Sequence, residues 1–217
     1  EAISIRKTKS KLPSIAENLT LGQNLESILV FGESTVAGVG ASEPQFSLAG
    51  QFFQLFEQNL SVKNLGKNGL KVKNAIHLLQ SNSFETYSPF VGSFIFLGAN
   101  DCFNLTPPKT YRNHLEILLA HDLKNHKPNW IYLADIPPVH LFPAFSERMK
   151  RHLQIQRDYL RAEMRKIAEQ DSKIIFDPIQ LDLSSEFFAA DGIHPSDLGY
   201  QKIAEFAWNG LKNRDLI

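Results

Sequence analysis

Asp191 and His194 stand three residues apart in a short polar segment, and their side chains could act together as a general base. At this spacing one turn of the chain can bring a carboxylate oxygen to the Nδ1–H of the imidazole, which leaves Nε2 free to accept a proton. A serine hydroxyl is a poor nucleophile at neutral pH and needs such a partner. Because an isolated Asp-x-x-His segment usually caps a helix, this interpretation depends on a serine placed to meet it.

Ser34 is the candidate nucleophile, since it follows an apolar run over 27–31 that ends at Gly32. The run predicts a strand buried on both faces, and small residues at the end of such a strand can present a hydroxyl above the sheet. Backbone N–H groups at the start of the next turn would face an anion bound there. A serine in this place is commonly a turn or cap residue, so its neighbours decide the interpretation.

Two candidate donors for an oxyanion follow the next two predicted strands. Gly69 ends the segment 64–69, where a glycine could serve a left-handed turn or let its N–H approach a reacting oxygen closely. Asn100 lies in the segment 98–101, where its carboxamide could donate to the same oxygen. A nucleophile and two donors are therefore expected at three consecutive strand ends.

The hydrophobic pattern predicts the framework that positions these residues, because apolar runs typical of strands alternate with amphipathic helices. The strands are expected at 27–31, 61–65, 91–97, 130–134 and 173–176, and the helices at about 49–56, 71–80, 108–124, 146–170 and after Pro195. This alternation predicts a three-layer α/β/α sandwich with a flavodoxin-like, parallel, five-stranded sheet in the order 2-1-3-4-5. The first strand then lies between the second and third, and ligands bind beyond the carboxyl ends of such strands.

In this combination the four segments resemble the SGNH hydrolase superfamily, also called GDSL esterases and lipases. The matching blocks are Phe31-Gly32-Glu33-Ser34, Asn64 to Gly69, Gly98-Ala99-Asn100-Asp101 and Asp191-Gly192-Ile193-His194-Pro195. The resemblance extends from about residue 27 to the C-terminus and is specific for the superfamily but not for a substrate. Glu33 stands where the family usually has Asp, and Val36 argues against the Gly-x-Ser-x-Gly elbow of α/β-hydrolases.

The resemblance implies a serine esterase that cleaves carboxylic esters through an acyl-enzyme. Ser34, Asp191 and His194 would form the triad. The N–H groups of Ser34 and Gly69 and the side chain of Asn100 would hold the oxyanion. This chemistry requires no metal or organic cofactor, and the expected substrate is a small-molecule ester with a short- to medium-chain acyl group or a lipid-like ester.

An apolar stretch over 139–145 follows the fourth predicted strand at the same edge of the sheet. Its side chains Val139, Leu141, Phe142 and Phe145 are candidates for an acyl pocket, although the stretch could equally be a loop packed into the core. A pocket built from phenylalanine would favour acyl chains over sugars.

The composition of the chain disfavours several other classes of protein. Lys and Arg together number 23, as do Asp and Glu, so no overall electric field attracts nucleic acid. The single cysteine, Cys102, cannot form an intramolecular disulfide. No apolar run approaches the roughly 20 residues of a membrane-spanning helix.

Residues 1–24 are predicted to form a polar, basic arm in front of a single domain over 25–217, with the positive charge between Arg6 and Lys11. The stretch 136–143 resembles a subset of bacterial SGNH proteins that often carry an N-terminal hydrophobic anchor followed by a basic segment. If such an anchor precedes this chain, the domain is expected close to a membrane.

Several other functions fit parts of the pattern. The same triad supports acyl transfer to an acceptor other than water, or removal of acetyl groups from carbohydrates. A catalytically silent binding module could share the fold, although the joint presence of five site residues argues against it: Ser34, Gly69, Asn100, Asp191 and His194. A phospho-receiver protein is disfavoured because Ser34 stands where a phosphoryl-acceptor Asp is expected. A flavodoxin-like FMN protein would be yellow, and absence of this colour would exclude it. The thiol of Cys102 has no second His–acid pair to support it.

Overall fold

The computed structural model describes residues 12–81 and 90–217, and a six-stranded sheet lies at its centre. The strands are β1 (Asn18–Leu21), β2 (Ser27–Gly32), β3 (Ser61–Gly66), β4 (Gly92–Phe96), β5 (Trp130–Leu133) and β6 (Ile174–Ile175). Their spatial order is β1-β3-β2-β4-β5-β6; β1 pairs antiparallel with β3, and the other five strands are parallel. The predicted α/β fold and its 2-1-3-4-5 order of parallel strands are confirmed.

Helices cover both faces of the sheet. They are α1 (Leu48–Leu55), α2 (Val72–Ser81), α3 (Ala99–Phe103), α4 (Pro108–Asn125), α5 (Glu147–Ala168) and α6 (Asp197–Lys212). One core lies between the sheet and α1 with α6, and the other between the sheet and α2, α4 and α5. Within residues 12–81 and 90–217, no helix has both the length and the apolar character needed to cross a membrane.

β2 shows why the central strands are apolar at every position and do not alternate between apolar and polar residues. All six of its residues are buried. Ile28 and Val30 point into the core beneath α1 and α6, whereas Leu29 and Phe31 point into the opposite core. Since successive side chains of a strand face opposite sides, a strand covered on both faces must be apolar at every position.

The sheet has one strand more than the five predicted. β1 lies within residues 1–24, so the sheet begins inside the segment expected to be an arm. Its side chains are exposed or half-buried and give little apolar signal, and its position depends on pairing with β3. The basic residues from Arg6 to Lys11 lie outside the described residues.

Two other elements differ from the sequence prediction. β6 has two residues rather than the expected run over 173–176, because this edge strand pairs with β5 alone and turns away after Ile175. The five-residue helix α3, directly after β4, was not expected, since the segment Gly98 to Asp101 is typical of a turn.

Candidate active site

The parallel ladder brings three loop segments to the same level at the edge of the sheet. Gly32, the last residue of β2, is paired with Gly66 in β3 and with Phe96 in β4. The backbone continues this pairing one residue further, since Lys67 N donates to Gly32 O (3.0 Å) and Glu33 N donates to Phe96 O (3.0 Å). The segments that carry Ser34, Gly69 and Asn100 therefore leave the sheet side by side, and all three residues line one cavity.

The turn after Ser34 is held by contacts from three elements. Asn64 in β3 donates its Nδ2–H groups to Val36 O (2.9 Å) and to Ala16 O. The hydroxyl of Tyr200 in α6 donates to Val39 O (2.7 Å). Gly66 lies so close that a Cβ there would stand 2.2 Å from Ala37 N. Asn64, part of the second motif block, thus holds the turn after Ser34 in place.

Asp191 and His194 form the hydrogen bond expected from their spacing. Asp191 Oδ2 accepts from His194 Nδ1 at 2.7 Å, while Asp191 Oδ1 accepts the backbone N–H groups of Ile193 and His194, each at 3.0 Å. Gly192 supplies the tight turn with a φ of 64°. This geometry fixes the Nδ1–H tautomer of the imidazole and leaves Nε2 as the proton acceptor.

The segment of His194 is packed directly against Gly40, in the loop that follows Ser34. At Gly40, where φ is 99°, an added Cβ would lie 2.4 Å from Pro195 O and 3.2 Å from His194 Cβ. Ser42 donates its backbone N–H and its hydroxyl to the carboxylate of Asp197, at 2.8 and 2.6 Å. The two segments are thus locked together, and Ser34 and His194 line the same cavity.

Two backbone donors remain available at the cavity. Among the described residues, no group accepts a hydrogen bond from the N–H of Ser34 or from that of Gly69. Gly69 has a φ of 76°, and no atom lies within 4 Å of a Cβ built on it. The left-handed backbone and the open space both favour glycine here.

Asn100, the third candidate donor, is bound by Glu33, the residue that precedes Ser34. Glu33 Oε1 accepts from the backbone N of Ala99 (2.8 Å), and Oε2 accepts from the backbone N (2.9 Å) and from Nδ2 (2.5 Å) of Asn100. Nδ2 carries two N–H groups, so one is used by Glu33 and the other can serve an oxyanion.

Asp101 connects the segments that carry Gly69 and Asn100. Its Oδ2 accepts from the backbone N of Val72 (2.9 Å) at the start of α2, and its Oδ1 accepts from Thr106 Oγ1 (2.8 Å). Because Val72 is three residues from Gly69, this buried carboxylate holds the loop of Gly69 and the helix of Asn100 in a fixed relation.

Burial changes the acidity of three groups at this site. It raises the pKa of Glu33 to about 7, with N–H donors from Asn100 and Ala99 acting in the opposite direction. Burial also raises the pKa of Asp101 and that of the Cys102 thiol. A raised pKa keeps the thiol protonated and unreactive, so a thiol mechanism at Cys102 is disfavoured.

The cavity has a volume of about 600 Å³ and apolar walls on both sides of the sheet edge. A loop wall after β4 and β5 consists of Phe103, Phe142 and Phe145. A helix wall consists of Ile203, Phe206 and Ala207 of α6 together with Tyr132 of β5. Within the described part of the chain, no three His, Cys, Asp or Glu side chains are grouped so as to hold a metal ion.

The four side chains predicted for an acyl pocket divide into two pairs. Phe142 and Phe145 line the cavity, whereas Val139 is buried in the core and Leu141 is 55% exposed. A short 3-10 turn over Val139–Leu141 rotates these two residues away from the cavity, so they are not part of its wall. The sequence did not indicate the helix wall, because Ile203 and Ala207 have the spacing of ordinary core residues of the last helix.

A model of the GDSL-like lipase/acylhydrolase family matches residues 30–202. The match spans well over half of the chain, and the chain therefore belongs to this family. Membership confirms the resemblance carried by the four sequence blocks and indicates a hydrolase of the lipase and acylhydrolase class. No curated protein matches the chain.

Solved structures share the fold at low sequence identity. The lipase/acylhydrolase from Enterococcus faecalis is 21% identical, with a TM-score of 0.66 over 87% of this chain and 96% of that chain. A member of the lipolytic protein G-D-S-L family from Veillonella parvula is 17% identical, with a TM-score of 0.69 over 85% of this chain and 97% of that chain. These similarities show that the chain has the same fold as the solved structures.

Two glycines of the second block should respond differently to alanine. Gly66→Ala places a Cβ against backbone atoms of Val36 and Ala37 in the turn after Ser34, and we expect it to destabilise the fold by about 3 kcal/mol or more. Gly69→Ala has open space but a left-handed backbone, and about 1–2 kcal/mol is expected. Urea unfolding of both variants measures the difference. Equal losses would contradict the close packing at Gly66.

The raised pKa of Glu33 predicts a pH-dependent difference in stability between the wild type and Glu33→Gln. The folded protein holds the Glu33 proton up to about pH 7, whereas the unfolded chain releases it near the ordinary value of 4.5. Stability therefore falls as pH rises through this window, by about 3 kcal/mol from this group. Urea unfolding at pH 5 and pH 8 should show wild type losing most of this amount relative to the variant. A constant difference between the two would contradict the assignment.

Proposed function

We propose that the protein is a serine esterase that hydrolyses carboxylic esters through an acyl-enzyme. In this proposal Ser34 is the nucleophile, His194 the general base and acid, and Asp191 the group that orients His194. The N–H groups of Ser34 and Gly69 and the side chain of Asn100 hold the oxyanion. Membership of a lipase/acylhydrolase family agrees with the reaction class.

The observation that carries the proposal is the convergence of four separate segments on one cavity. Ser34, Gly69, Asn100 and His194 come from positions far apart in the chain, and all line the same space. The imidazole among them is already fixed by Asp191 at 2.7 Å. A serine, an oriented base and free N–H donors are the components that acyl transfer needs.

The reaction would proceed in two steps. Ser34 Oγ attacks the carbonyl carbon while His194 Nε2 takes the hydroxyl proton, and the carbonyl oxygen becomes an oxyanion. Collapse of this intermediate expels the alcohol, which takes the proton from His194. Water then attacks the acyl-enzyme in the same manner, its proton passes to His194 and on to Ser34, and the carboxylic acid is released.

The walls of the cavity favour an ester with an apolar chain. Both the loop wall and the helix wall present aromatic and aliphatic side chains to the cavity that Ser34 lines. Each methylene buried there should contribute about 0.8 kcal/mol, which is roughly a fourfold gain in kcat/KM per carbon. An acetylated sugar would leave these walls uncovered and is the weaker candidate.

Acyl transfer to an acceptor other than water uses the same residues and is the second candidate. It would be detected by adding alcohols or amines as acceptors during turnover. A silent binding module is less well supported, because the Asp191–His194 pair and the free donors contribute nothing to an apolar binding site.

Ser34→Ala should abolish hydrolysis of p-nitrophenyl acetate, butyrate and octanoate, because it removes the hydroxyl that is proposed to form the acyl-enzyme. Steady-state assays beside wild type measure the loss. Cys102→Ala is the matched control, since Cys102 is the alternative nucleophile nearby, and this variant should retain activity. Equal activity of wild type and Ser34→Ala would show that the site has been assigned wrongly.

Phe142→Ala should change the preference for chain length, because it removes a ring from the loop wall. We expect kcat/KM for the octanoate to fall about tenfold relative to the acetate, as for the loss of a buried aromatic contact. The ratio of two substrates on one preparation is independent of the folded fraction. Leu141→Ala, which alters an exposed neighbour outside the cavity, should leave the ratio unchanged. An unchanged ratio in Phe142→Ala would exclude the loop wall as an acyl pocket.

A further inference from the structure

Glu33 lies between the candidate nucleophile and a candidate oxyanion donor, and it is almost fully buried. It directly precedes Ser34, and its carboxylate accepts three hydrogen bonds from Ala99 and Asn100. Gly98, the cap residue of α3, provides no side-chain hydrogen bond to the start of that helix. The side chain of Glu33, directly after β2, therefore fixes Asn100, the residue that carries the third candidate donor.

The chemistry of the contact determines how the carboxamide of Asn100 is oriented. An ionised carboxylate only accepts hydrogen bonds, so Nδ2 rather than Oδ1 of Asn100 must face Glu33. The amide group is planar, and fixing one N–H of Nδ2 therefore fixes the direction of the other. If the carboxamide were flipped, Asn100 would present an acceptor where a donor is needed.

We propose that Glu33 is a positioning residue for ester hydrolysis, whose carboxylate holds Asn100 in the orientation that donates Nδ2–H to the oxyanion. The inference rests on the proposed function, in which Asn100 stabilises the tetrahedral intermediate. Glu33 itself acts through Asn100 and does not touch the substrate in this scheme.

The protonation state of Glu33 bears on this role. A protonated Glu33 can donate to Oδ1 of a flipped Asn100, so the ionised form is the one that enforces the active orientation. Three other titratable groups face Glu33 from α3 and α4: Asp101, Cys102 and Tyr111. Burial raises the pKa of all three, and these groups are common to wild type and every Glu33 variant. With its own pKa raised to about 7, Glu33 would lose its charge in the range where activity is measured.

The first test is a double-mutant cycle with kcat for p-nitrophenyl butyrate as the readout. Asn100→Ala removes one oxyanion donor, which typically costs about 10²–10³ in rate. Glu33→Gln keeps the size of the side chain but can donate to Oδ1 of Asn100, and we expect a similar loss in kcat with little change in KM. In the Asn100→Ala background, Glu33→Gln should cost nothing more, because residues that act as a unit are not additive. Glu33→Asp remains an acceptor only, and it should restore kcat to within about tenfold of wild type.

The second test is the pH profile of kcat. His194 must be neutral to act as a base, so every variant loses activity towards low pH. Wild type requires a second deprotonation at Glu33, and its acid limb on a plot of log kcat against pH should be steeper than that of Glu33→Gln. A purely structural role of Glu33 would lower kcat without changing this slope.

Several outcomes would overturn the inference. They are full kcat in Glu33→Gln, additive losses in the double variant, or equal slopes of the acid limbs. The proposed function is tested separately by Ser34→Ala. If Ser34→Ala is inactive while Glu33→Gln retains full kcat, the esterase proposal stands and the role of Glu33 alone is wrong. If Ser34→Ala retains activity, the proposed function itself is wrong.

Discussion

The parallel pairing of β2 with β3 on one side and β4 on the other is the constraint on which the candidate site depends. Gly32 is level with Gly66 and Phe96, so three chains leave the sheet within a few residues of one another. Parallel strands present their carboxyl ends at one edge, and at this edge the connections diverge to opposite faces. Ser34, Gly69 and Asn100 therefore meet without any of them being near the others in sequence.

Buried carboxylates hold these loops in place, although burial removes each carboxylate from water and is unfavourable for its charge. Glu33 ties the end of β2 to α3, and Asp101 ties α3 to α2. Asp135, at the end of β5, accepts hydrogen bonds from Arg161 and from the backbone N of Ile179, and so fixes the next segments of the cavity. A buried carboxylate is tolerated when its lone pairs are satisfied. Burial opposes the charge on Glu33, yet the charged form is the one suited to orienting Asn100.

Hydrophobic periodicity predicted most of the strands and helices correctly. It failed where contacts with other parts of the chain, such as the pairing of strands, decide the structure. β1 alternates exposed and half-buried residues, and it is a strand because β3 offers it an open edge. Val139 and Leu141 lie in a stretch as apolar as Phe142 and Phe145, but a 3-10 turn separates the pairs. Periodicity places Ile203 and Ala207 on the inner face of α6, without distinguishing packed core from a cavity wall.

The sequence by itself determined the alternating α/β architecture, the family, and the identity of the candidate site residues, because residue type and spacing encode burial and local hydrogen bonding. The Asp191–His194 contact is an example, since one turn of chain suffices to form it. Tertiary structure alone decided the cavity walls, the packing of Gly40 against His194, and the binding of Asn100 by Glu33. These contacts join residues that are distant in the chain, and their geometry follows from how the two cores pack around the sheet edge.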